Sequence, residues 1–173
     1  MFKRLYLLHM KIIITEGQYK RLIETEEQQE VLHIPSIKIF GGNWNLLQKF
    51  LKSKGNPQYT IGGDLILKGS SIASLGNLIS VEGFLTLKGS SIESLGNLTS
   101  VGGFLDLGNT EFKSLGNLTS VGGDLYLTNS SVTSIGKLSY VGNSLFLIGT
   151  PLSKKYTEEE IRQMVDVGGK FYM

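Results

Sequence analysis

The sequence predicts a parallel β-solenoid, a right-handed coil of short strands closed at both ends by helices. Two observations carry this prediction. A twenty-residue sentence is written four times and then begun a fifth: IGGDLILKGSSIASLGNLIS, VEGFLTLKGSSIESLGNLTS, VGGFLDLGNTEFKSLGNLTS, VGGDLYLTNSSVTSIGKLSY and VGNSLFLIGTPLS. Fixed-period self-similarity of this kind marks repeat architectures, in which each unit buries its apolar face only against its neighbours. The second observation is compositional. The chain of 173 residues holds 22 glycines against 3 prolines, which suits many regular tight turns better than loose linkers.

Four segments follow in order. Residues 1–33 form an N-terminal segment. MFKRLYLLHMKIII has the basic start of an export signal, but His9 and Lys11 break its apolar run and no small-residue cleavage site follows. MKIIITEGQYKRLIE reads as a complete beginning, so Met10 stands beside Met1 as a candidate start, and residues 1–9 would then be a poorly ordered extension. Thr15 and Gln18 carry the spacing of a capping box, predicting a helix to about Glu27.

Residues 34–60 are expected to cap the stack. SIKIF, at 36–40, alternates like a first strand with Ile37 and Ile39 inward. NWNLLQKFLKSKG then reads as an amphipathic helix with Trp44, Leu47, Phe50 and Leu51 on one side.

Residues 61–152 hold the repeats. Leu65, Leu85, Leu105, Leu125 and Leu145 recur every twenty residues, each followed two positions on by another leucine. The x-Leu-x-Leu alternation places both leucines on one face of a short strand. Further apolar positions recur at Ile72, Leu75, Leu78 and Val81, without a helix-length run of 3.6 periodicity between them. The return path is therefore turns, extended chain or a short 3₁₀ piece. Stacked in register, the units give a single parallel sheet of about seven strands. Glycine pairs such as Gly122-Gly123 precede the strand, and Gly76, Gly96, Gly116 and Gly136 mark a second corner. Positive φ or close coil-to-coil approach explains both sets, with Glu82 and Asn143 as exceptions.

Residues 153–173 close the chain. TEEEIRQMVD opens with three acids in its first turn and predicts a helix. VGGKFYM, at 167–173, matches IGGDLIL at 61–67 position by position, so a last strand is expected with Phe171 and Met173 inward. Its outer edge, Lys170, Phe171, Tyr172 and Met173, is either open to another chain, giving a homo-oligomer, or covered by the preceding helix.

The pattern L-x-L-x-x-S/T-x-I-x-x-L, as in Leu65-Leu67-Ser70-Ile72-Leu75, resembles the leucine-rich repeat with Ser or Thr in place of its usual Asn. It is similar to the short, twenty-residue bacterial and phage-encoded versions, and more distantly to receptor L-domain coils. The likeness covers about 61–152 and implies a curved solenoid whose sheet face binds other macromolecules. Ser70, Ser90, Thr110, Ser130 and Thr150 stand where the resemblance implies an asparagine ladder, and the coils lack the usual helical segment.

Catalytic chemistry is hard to place. There is no cysteine, so disulfides, thiolate nucleophiles and cysteine-bound zinc are excluded. The two histidines, His9 and His33, lie away from any nucleophile or ligand cluster and read as structural. No G-x-G-x-x-G opens a helix, and no Lys-Ser/Thr follows a glycine loop. The Asn-Leu-Thr glycosylation patterns at Asn97 and Asn117 recur because the repeat recurs. Net charge is +2, with nine Lys/Arg against five Asp/Glu in 1–60 but four against six in 61–150, too little for nucleic acid. No stretch approaches the roughly 20 apolar residues of a membrane span. A non-enzymatic cytoplasmic protein, with no cofactor, metal or membrane, is expected.

One constellation remains. Side chains flanking the inward leucines must point out of the sheet. They read Asp64/Ile66, Phe84/Thr86, Phe104/Asp106, Asp124/Tyr126, Ser144/Phe146 and Lys170/Tyr172. Strands about 4.8 Å apart would join Phe84, Phe104, Tyr126 and Phe146 into one patch, with Ile66 and Tyr172 at its margins. Rings beside a few charges have the composition of interface hot spots, so Ile66, Phe84, Thr86, Phe104, Asp106, Asp124, Tyr126 and Phe146 form the candidate partner-binding face. Cross-strand packing of aromatics for its own sake would leave the same pattern. The partner class expected is protein, a host protein or a particle component if the chain is phage-encoded. Two alternatives stand beside it: self-assembly through the C-terminal edge, and a carbohydrate-binding or glycan-cleaving solenoid in which Asp106 and Asp124 handle sugar or a cation.

Overall fold

A computed structural model describes the backbone of residues 2–7 and 10–18 and the whole of residues 31–173. The chain divides into two compact units, Met1–Val31 and Leu32–Met173.

In the first unit, Phe2–Leu7 pairs antiparallel with Met10–Thr15. Residues 2–7, part of the expected extension, are the first strand of this hairpin. The β-branched run at Ile12–Ile14 favours extended backbone, and an extended segment needs a ladder partner. Thr15 and Gln18 make the predicted reciprocal cap: the Gln18 N–H donates to Thr15 Oγ1 at 3.2 Å, and the Thr15 N–H donates to Gln18 Oε1 at 2.9 Å. A helical turn starts at Glu16, but its expected continuation to Glu27 lies outside the described residues, as does His9.

The second unit is a β-solenoid, but it carries two parallel sheets where the sequence suggested one. The leucine strands form a six-stranded sheet of Leu65–Ile66, Leu85–Thr86, Leu105–Asp106, Leu125–Tyr126, Leu145–Phe146 and Phe171–Tyr172. A seven-stranded sheet runs through Leu32–Ile34, Tyr59–Ile61, Leu78–Val81, Ser100–Val101, Ser120–Val121, Tyr140–Val141 and Asp166–Val167. The valine corner of each coil is thus extended in its own right, just before the glycine pair. From the first strand to the fifth, the leucine register is exact at twenty residues, as in Leu105 opposite Leu125 opposite Leu145.

The core is a set of stacked columns. Leu65, Leu85, Leu105, Leu125 and Leu145 are fully buried, as are Leu75, Leu115, Leu78, Leu98 and Leu118 on the return path. Ser70, Thr110 and Thr150 turn inward and donate their hydroxyls to the carbonyls of Leu67, Leu107 and Leu147. Each hydroxyl therefore satisfies a carbonyl of its own turn instead of linking neighbouring coils.

The N-terminal cap departs from expectation at one element. Ile37–Phe40 is a 3₁₀ turn, with Ile37 buried but Ile39 63% exposed. Ser36 accepts from the Lys38 N–H at 3.2 Å, and Gly41 closes the turn in the left-handed region at φ 63°. The first strand is instead Leu32–Ile34, just ahead of Pro35. Helix α1, Trp44–Ser53, forms as predicted with Asn43 as its cap and Leu47 and Leu51 buried, while Trp44 and Phe50 pack against the core. Tyr59 fastens it to the stack: its phenol donates to the Leu75 carbonyl and accepts from Gln48 Nε2 of α1, both at 3.2 Å.

The C-terminal end holds two helices, one more than predicted. Thr150 and Pro151 open α2, Pro151–Lys155, with Thr150 Oγ1 accepting from the Ser153 N–H at 3.1 Å. Helix α3, Glu158–Met164, starts on a complete capping box between Thr157 and Glu160. It buries Ile161 and lays the Arg162 guanidinium 4.2 Å above the Phe171 ring. Phe171 accordingly packs against the core, whereas Met173, expected inward, is 40% exposed.

Candidate interaction face

The outward face of the six-stranded sheet brings the predicted rings together. Phe84 and Phe104 stack at 4.5 Å between centroids and 6° between planes. Phe104 meets Tyr126 edge-on at 6.2 Å, and Tyr126 stacks on Phe146 at 4.5 Å. Phe146 stacks in turn on Tyr172 at 4.4 Å and 1°, so Tyr172 is a full member of the ladder and not its margin.

The ladder runs diagonally. Phe84 and Phe104 stand immediately before their strands, while Tyr126, Phe146 and Tyr172 stand two positions further along the repeat. The T-shaped contact is where one column hands over to the other. Ile66, 64% exposed, lies at the first strand of this sheet and takes no part in ring stacking. Thr86 shares its strand position with Asp106, directly across the ladder, and both are half-buried.

The two carboxylates on this face already have structural work. Asp124 Oδ1 accepts from the Ser144 backbone N–H at 2.9 Å, and its Oδ2 accepts from the Tyr126 hydroxyl at 3.1 Å. Asp106 Oδ1 accepts from the Gly108 N–H at 3.0 Å. Asp64 repeats the Asp124 device one end earlier, taking the Phe84 N–H at 3.1 Å. These contacts explain why Asp recurs beside the rings: it fills a backbone acceptor gap at the corner where the two sheets part. Burial, and then the hydrogen bond to Asp124 and the nearby charges of Asp124 and Asp106, push the Tyr126 phenol above its ordinary value.

Beside the ladder lies a shallow recess formed by Lys88, Asp106, Asn109, Tyr126, Thr128 and Asn129. A second concavity, unforeseen in the sequence, crosses the seven-stranded sheet. Ser80, Ser100 and Ser120 line its floor, with Tyr140 and Glu82 at its limits. The serine before each valine was the available signal. Among the described residues, no group of three or more His, Asp or Glu side chains could hold a metal ion. His33 instead shares a 3.0 Å hydrogen bond with Thr60 Oγ1. No described helix is long and apolar enough to cross a membrane. The edge residues Lys170–Met173 pair on one side only, Phe171 opposite Leu145 and Tyr172 opposite Phe146. In comparisons with known proteins, no family model matches this chain, and neither a curated protein nor a solved structure matches it significantly.

Proposed function

We propose that the chain is a non-enzymatic protein–protein interaction module that binds its partner through the ring ladder. The observation that carries this reading is the unbroken run of five rings, Phe84 to Tyr172, on the outward face of a rigid stack. Large, pre-ordered aromatic side chains contribute contact area at little further entropy cost, which is the chemistry of interface hot spots.

The same geometry weighs against sugar. Three of the four ring contacts are stacked, so the π-faces are turned toward one another along the sheet. A pyranose stacks on an open ring face, and here mainly ring edges remain for a ligand. Edges suit the side chains of a protein surface. The engagement of Asp106 and Asp124 by backbone N–H groups further weakens a glycan-cleaving reading. The likeness to short phage-encoded repeats makes a bacterial host protein or a particle component the first partner class to screen.

The test is affinity capture from a bacterial lysate, with the native chain compared against a Phe84→Ser, Phe104→Ser, Tyr126→Ser, Phe146→Ser variant. Circular dichroism checks that the variant is folded, because each lost ring pair costs about 0.5–1.5 kcal/mol of stability. A protein retained by the native chain and lost by the variant supports the reading. Identical capture profiles refute it.

A further inference from the structure

The last coil offers a second surface, its backbone edge, which shares Tyr172 with the ring ladder. Along the stack each coil pairs its backbone with the next: the Leu145 N–H with the Lys170 carbonyl at 2.9 Å, the Leu147 N–H with the Tyr172 carbonyl at 2.6 Å, and the Ser139 and Val141 carbonyls with the Asp166 and Gly168 N–H groups, both at 2.9 Å. In the last coil Phe171 stands where Leu145 stands, and Val167 where Val141 stands. A parallel ladder uses both the N–H and the C=O of such residues toward the same neighbour. Neither residue's N–H or C=O has a backbone partner among the described residues, so Val167 and Phe171 each present a donor and an acceptor outward.

Those two residues are four apart, with the Gly168–Gly169 corner between them. A second copy turned about a two-fold axis through that corner would run antiparallel to the first. Val167 of one copy would face Phe171 of the second copy, and each pair could exchange two N–H···O bonds. The same register sets Asp166 opposite Tyr172 of the second copy and diagonal to Lys170 of the second copy, a separation of about 7–8 Å that a lysine side chain spans. Asp166 and Lys170 are both exposed, and neither has an ion-pair partner among the described residues. The rim around them is apolar, with Met164, Tyr172 and Met173 each about two-fifths exposed.

Head-to-tail growth lacks such a match. Once Asp166–Val167 added onto the Leu32–Ile34 edge of another copy, the Phe171–Tyr172 strand would meet the 3₁₀ turn at Ile37–Phe40, where no strand stands to receive it. The geometry points to a closed two-fold dimer of this chain, joined edge to edge through Asp166–Tyr172, with Asp166 of each copy paired to Lys170 of the other.

Sedimentation equilibrium over a concentration series tests it, using the native chain, Asp166→Lys, Lys170→Asp and the double exchange, each checked by circular dichroism. The native chain is expected to be a dimer. Each single variant places like charges across the axis twice and should weaken dimerisation roughly tenfold or more, while the double exchange restores it. A native chain that stays monomeric overturns the proposal. So do species growing beyond a dimer, single variants as tightly associated as the native chain, or a double variant no tighter than the singles.

Discussion

Gly122 and Gly116 stand at two corners of the repeat and do different work, and a pair of substitutions separates them. Gly122 has ordinary backbone angles, yet a Cβ added there would sit 2.1 Å from the Gly102 carbonyl oxygen of the preceding coil. Gly116 is the reverse case: its φ is +58°, and nothing lies within 4 Å of an added Cβ. The chain itself places asparagine in the left-handed region at Asn109 and Asn129. Gly116→Asn should therefore cost only about 0.5–1 kcal/mol, the residual left-handed penalty for a residue that tolerates it. Gly122→Ala must push two coils apart where the Gly122 N–H meets the Val101 carbonyl at 2.8 Å and the Gly123 N–H meets the Gly103 carbonyl at 3.0 Å. Loss of those two bonds at about 1 kcal/mol each, together with about 1–3 kcal/mol of overpacking strain, gives roughly 3–5 kcal/mol. For a chain of this length that lowers Tm by roughly 6–20 °C, against about 1–4 °C for Gly116→Asn. Thermal unfolding followed by circular dichroism reads the difference. Equal shifts, or a larger one for Gly116→Asn, would refute the assignment of close coil approach to Gly122 and of an unobstructed left-handed turn to Gly116.

Three further outcomes follow from particular contacts. Burial pushes the Tyr59 phenol up to about 12, with the Gln48 hydrogen bond partly opposing the shift. The neutral form is favoured in the fold, so this stabilisation, about 3 kcal/mol, is complete below pH 10 and should be lost as pH rises from 10 through 12. Urea titrations across that range should show the decline, and Tyr59→Phe should remove its share of the slope. Asp124→Leu strands the Ser144 N–H and the Tyr126 hydroxyl and should cost about 1–3 kcal/mol, whereas Asp124→Asn keeps an acceptor and should cost less, measured by urea midpoint. Thr157→Ala removes one half of the α3 capping box and should cost about 1 kcal/mol, seen first as faster amide exchange at Glu160 and Ile161.

Much of this architecture was legible because the twenty-residue period repeats the same physical demand five times. Leu125 and Leu127 must be inward if Leu105 and Leu107 are, and the outward residues then follow without further assumption. The second sheet was not legible because Ser120–Val121 is two residues long between turns, too short for alternation to show. The 3₁₀ turn at Ile37–Phe40 imitated a strand because Ile-x-Ile alternates. The competing signals were Ser36, whose side chain captures the Lys38 N–H, and Gly41-Gly42, which suit a left-handed exit. Helix α2 hid behind the repeat, since Thr150 keeps its turn contact to the Leu147 carbonyl while also capping the helix that Pro151 opens. On the candidate face the sequence placed all five rings but not their stacking order. Stacking depends on which side of each strand's leucine the ring stands, and the change of side between Phe104 and Tyr126 makes the T-shaped step.

The account's central claim is that the ring ladder is where a partner sits. Hydroxyl-radical footprinting reads aromatic side chains directly, with the chain alone compared against its captured complex. The account predicts that oxidation of Phe84, Phe104, Tyr126 and Phe146 falls on binding, while Tyr140 on the other sheet and Ile39 at the N-terminal cap are unchanged. Protection of Tyr140 with the ladder rings still reactive would contradict it and move the site to the serine-lined face.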